Sequence, residues 1–220
     1  VANDEAIVFS VDPVTFTTGA SLAIANTALT VDATRNVSYT AASGQPIYEY
    51  TGGGNGIRIF DPYTRWSGID MVASSGTCFQ IRANSGYGSA QAGTVLENAT
   101  LTASNVAVKC QKFSSGQGLG TSSEPITLRN VVTKSVVAVN QFVSGSGHTT
   151  GAHLLVVNCT HLGSGSTTGT VWQWALTGGM PSASAKLINC LNLAQNASDD
   201  ADITSGGVTV SGSTNNIGNA

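Results

Sequence analysis

Charge is what this sequence has least of. Only 10% of its 220 residues are Asp, Glu, Lys or Arg, against roughly 25% in ordinary soluble domains. The net charge is -3 and the sequence contains no basic run, which argues against a surface that tracks nucleic-acid phosphates. Helical periodicity is nearly absent, and no stretch reaches the ~18 apolar residues of a membrane-spanning helix. Prolines number five, and tight hairpin dipeptides are scarce. The four cysteines, Cys78, Cys110, Cys159 and Cys190, form no CxxC pair, which argues against structural zinc. No Ser-His-Asp order or nucleophile elbow occurs. The glycine run Gly52 to Gly56 leads into strand-like Ile57 to Phe60, not into the helix that a phosphate cradle needs. A signal peptide and an initiating methionine are also missing, and strand-like sequence runs to both ends. The expectation is a segment cut from a longer polypeptide.

Gly, Ser, Thr, Asn and Ala take the place of charged residues, and 41% of the chain is apolar. Val, Ile and Leu recur in strand-length runs, unlike the composition of a disordered chain. Strands are expected at Ala6 to Val11, Val14 to Thr17, Leu22 to Ala25, Leu29 to Val31, Val37 to Thr40, Ile47 to Tyr50 and Ile57 to Phe60. Further strands are expected at Ile69 to Val72, Cys78 to Ile81, Val95 to Asn98, Val106 to Cys110, Ile126 to Asn130, Val136 to Asn140, His153 to Asn158, Val171 to Leu176 and Lys186 to Leu193. Many short strands divided by turn residues indicate an all-β chain.

A weak repeat separates a sandwich from a solenoid. Val95-Leu96-Glu97-Asn98, Thr127-Leu128-Arg129-Asn130, Val156-Val157-Asn158 and Leu187-Ile188-Asn189 align on their asparagines, with spacings of 32 (98 to 130), 28 (130 to 158) and 31 (158 to 189). Arg65-Trp66-Ser67-Gly68 is a degenerate fifth copy, 30 residues before Asn98. Such periods belong to stacked architectures. The prediction is a single-domain right-handed parallel β-helix over residues 1–220, with Asn98, Asn130, Asn158 and Asn189 stacked at one turn. Leu96, Leu128, Val156 and Leu187 then form an apolar core column. Ala99, Val131, Cys159 and Cys190 form another, which sets Cys159 and Cys190 side by side within disulfide range; two buried free thiols are the alternative. Glu97 and Arg129 would pair at the surface, and Val157 and Ile188 would face outward and call for a covering subunit.

Loops at Ala83 to Gly93, Gln111 to Glu124, Val143 to Ala152 and Thr177 to Ala185 precede the asparagine strands and should emerge along one edge, a position suited to binding. Their titratable groups are few: Lys112, Glu124 and His148. Asp199, Asp200 and Asp202 read as a solvated turn, and Asp61 and Asp70 as ion-pair partners of Arg58 and Arg65. His148, His153 and His161 are close in sequence, but nothing forces them together on a metal. The sequons at Asn36, Asn98, Asn158 and Asn196 read as chance in so Asn-rich a chain. The alternating Trp172 and Trp174 share one strand face and read first as core, with an outward sugar platform as the alternative, and Tyr63 and Trp66 beside Arg65 are a further candidate glycan-binding spot. No catalytic residue, metal or cofactor is expected.

The stacked Leu-x-Asn segments from about Arg65 to Leu193 resemble the right-handed parallel β-helix superfamily. Its pectate-lyase-like and polygalacturonase-like enzymes carry acidic motifs that have no match in this chain. The low charge and Gly/Ser/Thr/Asn richness look more like phage and viral surface proteins: tailspikes, fibres and capsid decorations. The resemblance implies a non-enzymatic structural or adhesive virion component, extracellular, commonly a homotrimer, and able to bind glycans. A secreted polysaccharide lyase or glycoside hydrolase and a bacterial adhesin module are the alternatives.

Overall fold

In the computed structural model the chain is a parallel β-solenoid. The structure describes residues 5–9, 15–24, 37–41, 43–83, 91–112, 118–136, 138–144, 152–163, 170–176, 183–194, 208–210 and 217–218. Every ordered element among them is a strand or turn, and the strands stack in register from coil to coil on three faces.

Face one runs β1 (Glu5–Phe9), β4 (Val37–Ala41), β7 (Thr64–Ser67), the first half of β10 (Val95–Ala103), the first half of β12 (Ile126–Ser135), β14 (Ala152–Val157), β17 (Ala183–Ile188) and β19 (Val208–Val210). Face two runs β2 (Thr15–Thr18), β5 (Ile47–Tyr50), β8 (Asp70–Ala73), the second halves of β10 and β12, β15 (Thr160–Gly163), β18 (Leu191–Ala194) and β20 (Ile217–Gly218). Face three runs β3 (Leu22–Ile24), β6 (Asn55–Ile59), β9 (Thr77–Ala83), β11 (Val106–Lys112), β13 (Ala138–Ser144) and β16 (Thr170–Leu176).

The asparagines make the corner between faces one and two. Asn98, Asn130, Asn158 and Asn189 adopt φ of 52 to 53°, the left-handed conformation that Asn tolerates better than most residues. Gly68 holds the same position one coil earlier, at φ 71°. The left-handed residue interrupts strand alternation, so Leu96 and Ala99 both reach the core while Asn98 stays exposed. The side-chain amides run as a chain along the stack. Asn189 Nδ2 donates to Asn158 Oδ1 at 3.1 Å, Asn158 to Asn130 at 3.3 Å and Asn130 to Asn98 at 3.0 Å. The series ends where Asn98 Nδ2 meets Ser67 Oγ at 3.5 Å.

Inside, Leu96, Leu128 and Val156 are buried as one column, with Leu187 half-buried at its end. Trp66 precedes Leu96 in that column, with Tyr39 before it. It stacks on Tyr39 at 5.6 Å, meets Phe79 edge-on at 5.1 Å, and donates from Nε1 to Ile69 O at 3.1 Å. This corrects the expectation that Trp66 could hold a sugar: Arg65 and Ser67 take the outward positions of the short strand β7, which turns the indole inward. Ala99, Val131, Cys159 and Cys190 are buried in the second column, and register sets the last two side by side, between the pairs Val157–Ile188 and Thr160–Leu191. All four thiols are free. Along face two the inward column changes character, from Tyr48, Met71 and Leu101 to Thr133 and His161.

Three expected features differ. Glu97 is not in a surface pair but buried. Asp70 bonds to Gln45 and the Thr100 amide rather than to an arginine. Strand β15 and the second halves of β10 and β12 lie outside the expected strands, whereas β7 is the degenerate fifth copy of the repeat. The expected strand Leu29 to Val31, the Asp199/Asp200/Asp202 cluster, His148, the sequons at Asn36 and Asn196, and most of the four loops lie outside the described residues. So do the side chains of Trp172 and Trp174, whose strand β16 pairs them with Asn140 and Phe142 of β13.

Candidate functional site

The edge where the loops rejoin face one gathers most of the polar chemistry of the described residues. Five residues before each corner position lies one register column: Tyr63, Gly93, Pro125, His153 and Ser184. Tyr63 has φ 53°, the one described left-handed residue that is neither Gly nor Asn. A tyrosine held there costs on the order of 1–2 kcal/mol. Its ring lies over Gly93, where a Cβ would come within 2.5 Å of Cδ1. Its hydroxyl donates to Glu124 Oε2 at 2.7 Å. Tyr63 thus straps three coils together, and the glycine is required by the ring above it.

Beside this column, Arg65 and Arg129 flank Glu97. Both arginine side chains are 50% exposed and the carboxylate 3%. Glu97 Oε1 accepts from Arg65 Nε at 2.8 Å, from Arg65 Nη2 and from Ser67 Oγ at 3.1 Å. Arg129 Nη1 stands 3.8 Å from Oε2. With Oε1 holding three donors and the carboxylate 3% exposed between two arginines, it is poorly placed to remove a proton from a substrate.

His153 and Ser184, aligned on adjacent coils, share a hydrogen bond of 2.7 Å between Nδ1 and Oγ. Burial lowers the His153 pKa from its ordinary value, so the ring is neutral at pH 7 and can accept the serine proton. Among the described residues no carboxylate bonds to His153 to orient it as a triad would. His161 is remote in character as well as place: it is buried in the core, its pKa pushed down to about 3 by burial, and bonded to Thr133 at 2.6 Å. The two described histidines therefore do not converge, and among the described residues no three His, Cys, Asp or Glu side chains gather as a metal site.

Of the expected sugar platforms, Tyr63 stays half-buried at the loop edge beside Arg65, while Trp66 is in the core. The His153–Ser184 pair and the Tyr63 strap were not expected. Both follow from carrying the asparagine register five residues backward, since 153 and 184 are 31 apart, like Asn158 and Asn189. No helix among the described residues is long and apolar enough to cross a membrane. No protein-family model, curated protein or solved structure matches the chain.

Proposed function

We propose that this chain is a non-enzymatic structural and adhesive module displayed on a virion or other extracellular surface, where it assembles with copies of itself as a trimer. The observation that carries this reading is how four of the described carboxylates are used. Glu97 is held by Arg65 and Ser67, Glu124 by Tyr63, Asp70 by Gln45 and a backbone amide, and Glu49 by Thr17. Each of these contacts joins one coil to another, so side chains that an enzyme would keep for substrate serve cohesion. Association draws on apolar groups outside the core: Val157 and Ile188 are half-buried on face one, and Val132, Val136 and Leu193 are exposed. A hydrolase or lyase reading rests on the His153–Ser184 pair. The deciding experiment is incubation of the chain with acidic and neutral polysaccharides, with assays for reducing ends and unsaturated products. No turnover is expected. Turnover abolished by Ser184→Ala or Glu124→Gln would replace the structural reading with the enzymatic one.

A further inference from the structure

Charge is segregated by face. The strands of face three contain Arg58, Arg82, Lys109 and Lys112 and no Asp or Glu. Glu5, Glu49, Asp70 and Glu97 all lie in strands of the other two faces. Alternation sends Ile57, Ile59, Phe79, Ile81, Val108 and Cys110 into the core. Arg58, Gln80 and Lys109 therefore form one outward column, in register. Gln141 and Gln173 hold the same register position in the next two strands.

This face has unmet requirements. Arg58 and Arg82 both stand over the Phe60 ring, 5.9 and 5.6 Å from its centroid, which fixes two cations about one aromatic. Lys109 is half-buried, and burial lowers its pKa. Among the described residues neither Arg58 nor Lys109 forms an ion pair, and a partly desolvated cation without a counter-ion is costly. Between them sits Gln80, 3% exposed. Its Nε2 donates to Gln111 Oε1 at 2.6 Å, while among the described residues its Oε1 has no hydrogen-bond partner, nor has Arg58 Nε. An unmet acceptor between uncompensated cations defines its complement: a molecule that brings anionic groups and hydroxyl donors together.

We propose that the outer surface of face three binds an acidic glycan, with Arg58 and Lys109 receiving its carboxylate or sulfate groups and Gln80 accepting from a sugar hydroxyl. Coils are ~4.8 Å apart, so Arg58 and Lys109, two coils apart, are about 10 Å apart along the stack. That spacing suits a glycan chain lying across the strands with its charges on alternate sugars. Nucleic acid fits less well. Phosphates offer acceptors only and leave Gln80 unmet, and Phe60, buried beneath two guanidiniums, is not free to stack a base. The site deepens the adhesive reading above; binding and turnover are separate measurements, so either can fail without the other.

The test is calorimetric titration of the whole chain with polygalacturonate and with heparin, using dextran and single-stranded DNA as comparators. Binding to at least one acidic glycan is expected, weakening as salt rises. The preferred probe separates carboxylate from sulfate recognition. Arg58→Gln with Lys109→Gln should reduce affinity at least tenfold. Gln80→Leu, which leaves the charge unchanged, should also weaken it. Lys134→Gln with Lys186→Gln removes equal charge from the other faces and should leave affinity unaltered. Circular dichroism of each variant establishes that the solenoid is intact. The proposal is overturned if neither acidic glycan binds, if dextran or DNA binds as tightly, or if the control pair weakens binding as much as the face-three pair.

Discussion

At the scale of single residues, the left-handed corner sets what each position tolerates. Asn130→Ala would place a β-carbon in a conformation costing about 1–2 kcal/mol and remove two amide bonds of the stack. Asn130→Gly would remove only the bonds. Urea denaturation should therefore rank wild type above the glycine variant and the glycine variant above the alanine. The sequons at Asn98 and Asn158 place a possible glycan on nitrogens already committed to the stack, so modification there would break the ladder. Buried side chains respond to pH and reagents in opposite ways. Burial pushes the Cys78 and Cys159 thiols up to about 12 and raises those of Cys110 and Cys190. Since the thiolate is the reactive form, a disulfide reagent should titrate no thiol in the native protein and all four after unfolding. His161 is held neutral at about 3 in the fold against 6.5 when exposed. As pH falls, the unfolded chain binds this proton first. Its contribution is thus complete above pH 6.5 and drains away towards pH 3, by about 5 kcal/mol across the whole window. His161→Leu should flatten the fall in urea midpoint between pH 7 and pH 4.

At the scale of strands and columns, the arginines around Glu97 are unequal. Arg65→Met would leave a buried carboxylate without its nearest partner and should cost about 3 kcal/mol. Arg129, 3.8 Å away and half exposed, should cost under ~1 kcal/mol when changed to Met. Equal losses in chemical denaturation would show that the two cations share the carboxylate. The sequence revealed this column only in part. Glu97 and Arg129 align on the asparagines, but Arg65 reaches diagonally from the neighbouring column, and a repeat alignment pairs like with like. The corner was legible because few residues other than Asn and Gly accept its conformation. Strand β15, Thr-His-Leu-Gly, was not, because its inward positions carry His161 and a glycine in place of apolar residues. The basic character of face three was also invisible in the chain: Arg58, Arg82 and Lys109 are more than 20 residues apart in sequence and meet only through register.

At the scale of the whole molecule, the interior is graded. Coils around β5 to β10 bury Trp66, Phe79, Met71 and the Tyr48 and Tyr50 rings, whereas later coils carry Thr133, Ser135 and His161 inward. A stack whose coils touch only their neighbours can open piecemeal. Hydrogen exchange should find the slowest amides in β7 to β10 and faster ones in β14, β15 and β17; uniform protection would show instead that the stack opens as one unit. The asparagine corner has one more consequence. Because every coil passes through the same conformation at the same point, Asn98 and Asn130 are interchangeable joints. Splicing Asn98 directly to Val131 removes one full circuit and leaves Leu128's place in the column to Leu96 and the corner intact. The shortened chain should fold, with its β-sheet spectrum retained and its long dimension reduced by ~4.8 Å. Length in such a molecule is counted in whole steps, and evolution can lengthen or shorten it by copying or dropping a step without redesigning what lies on either side.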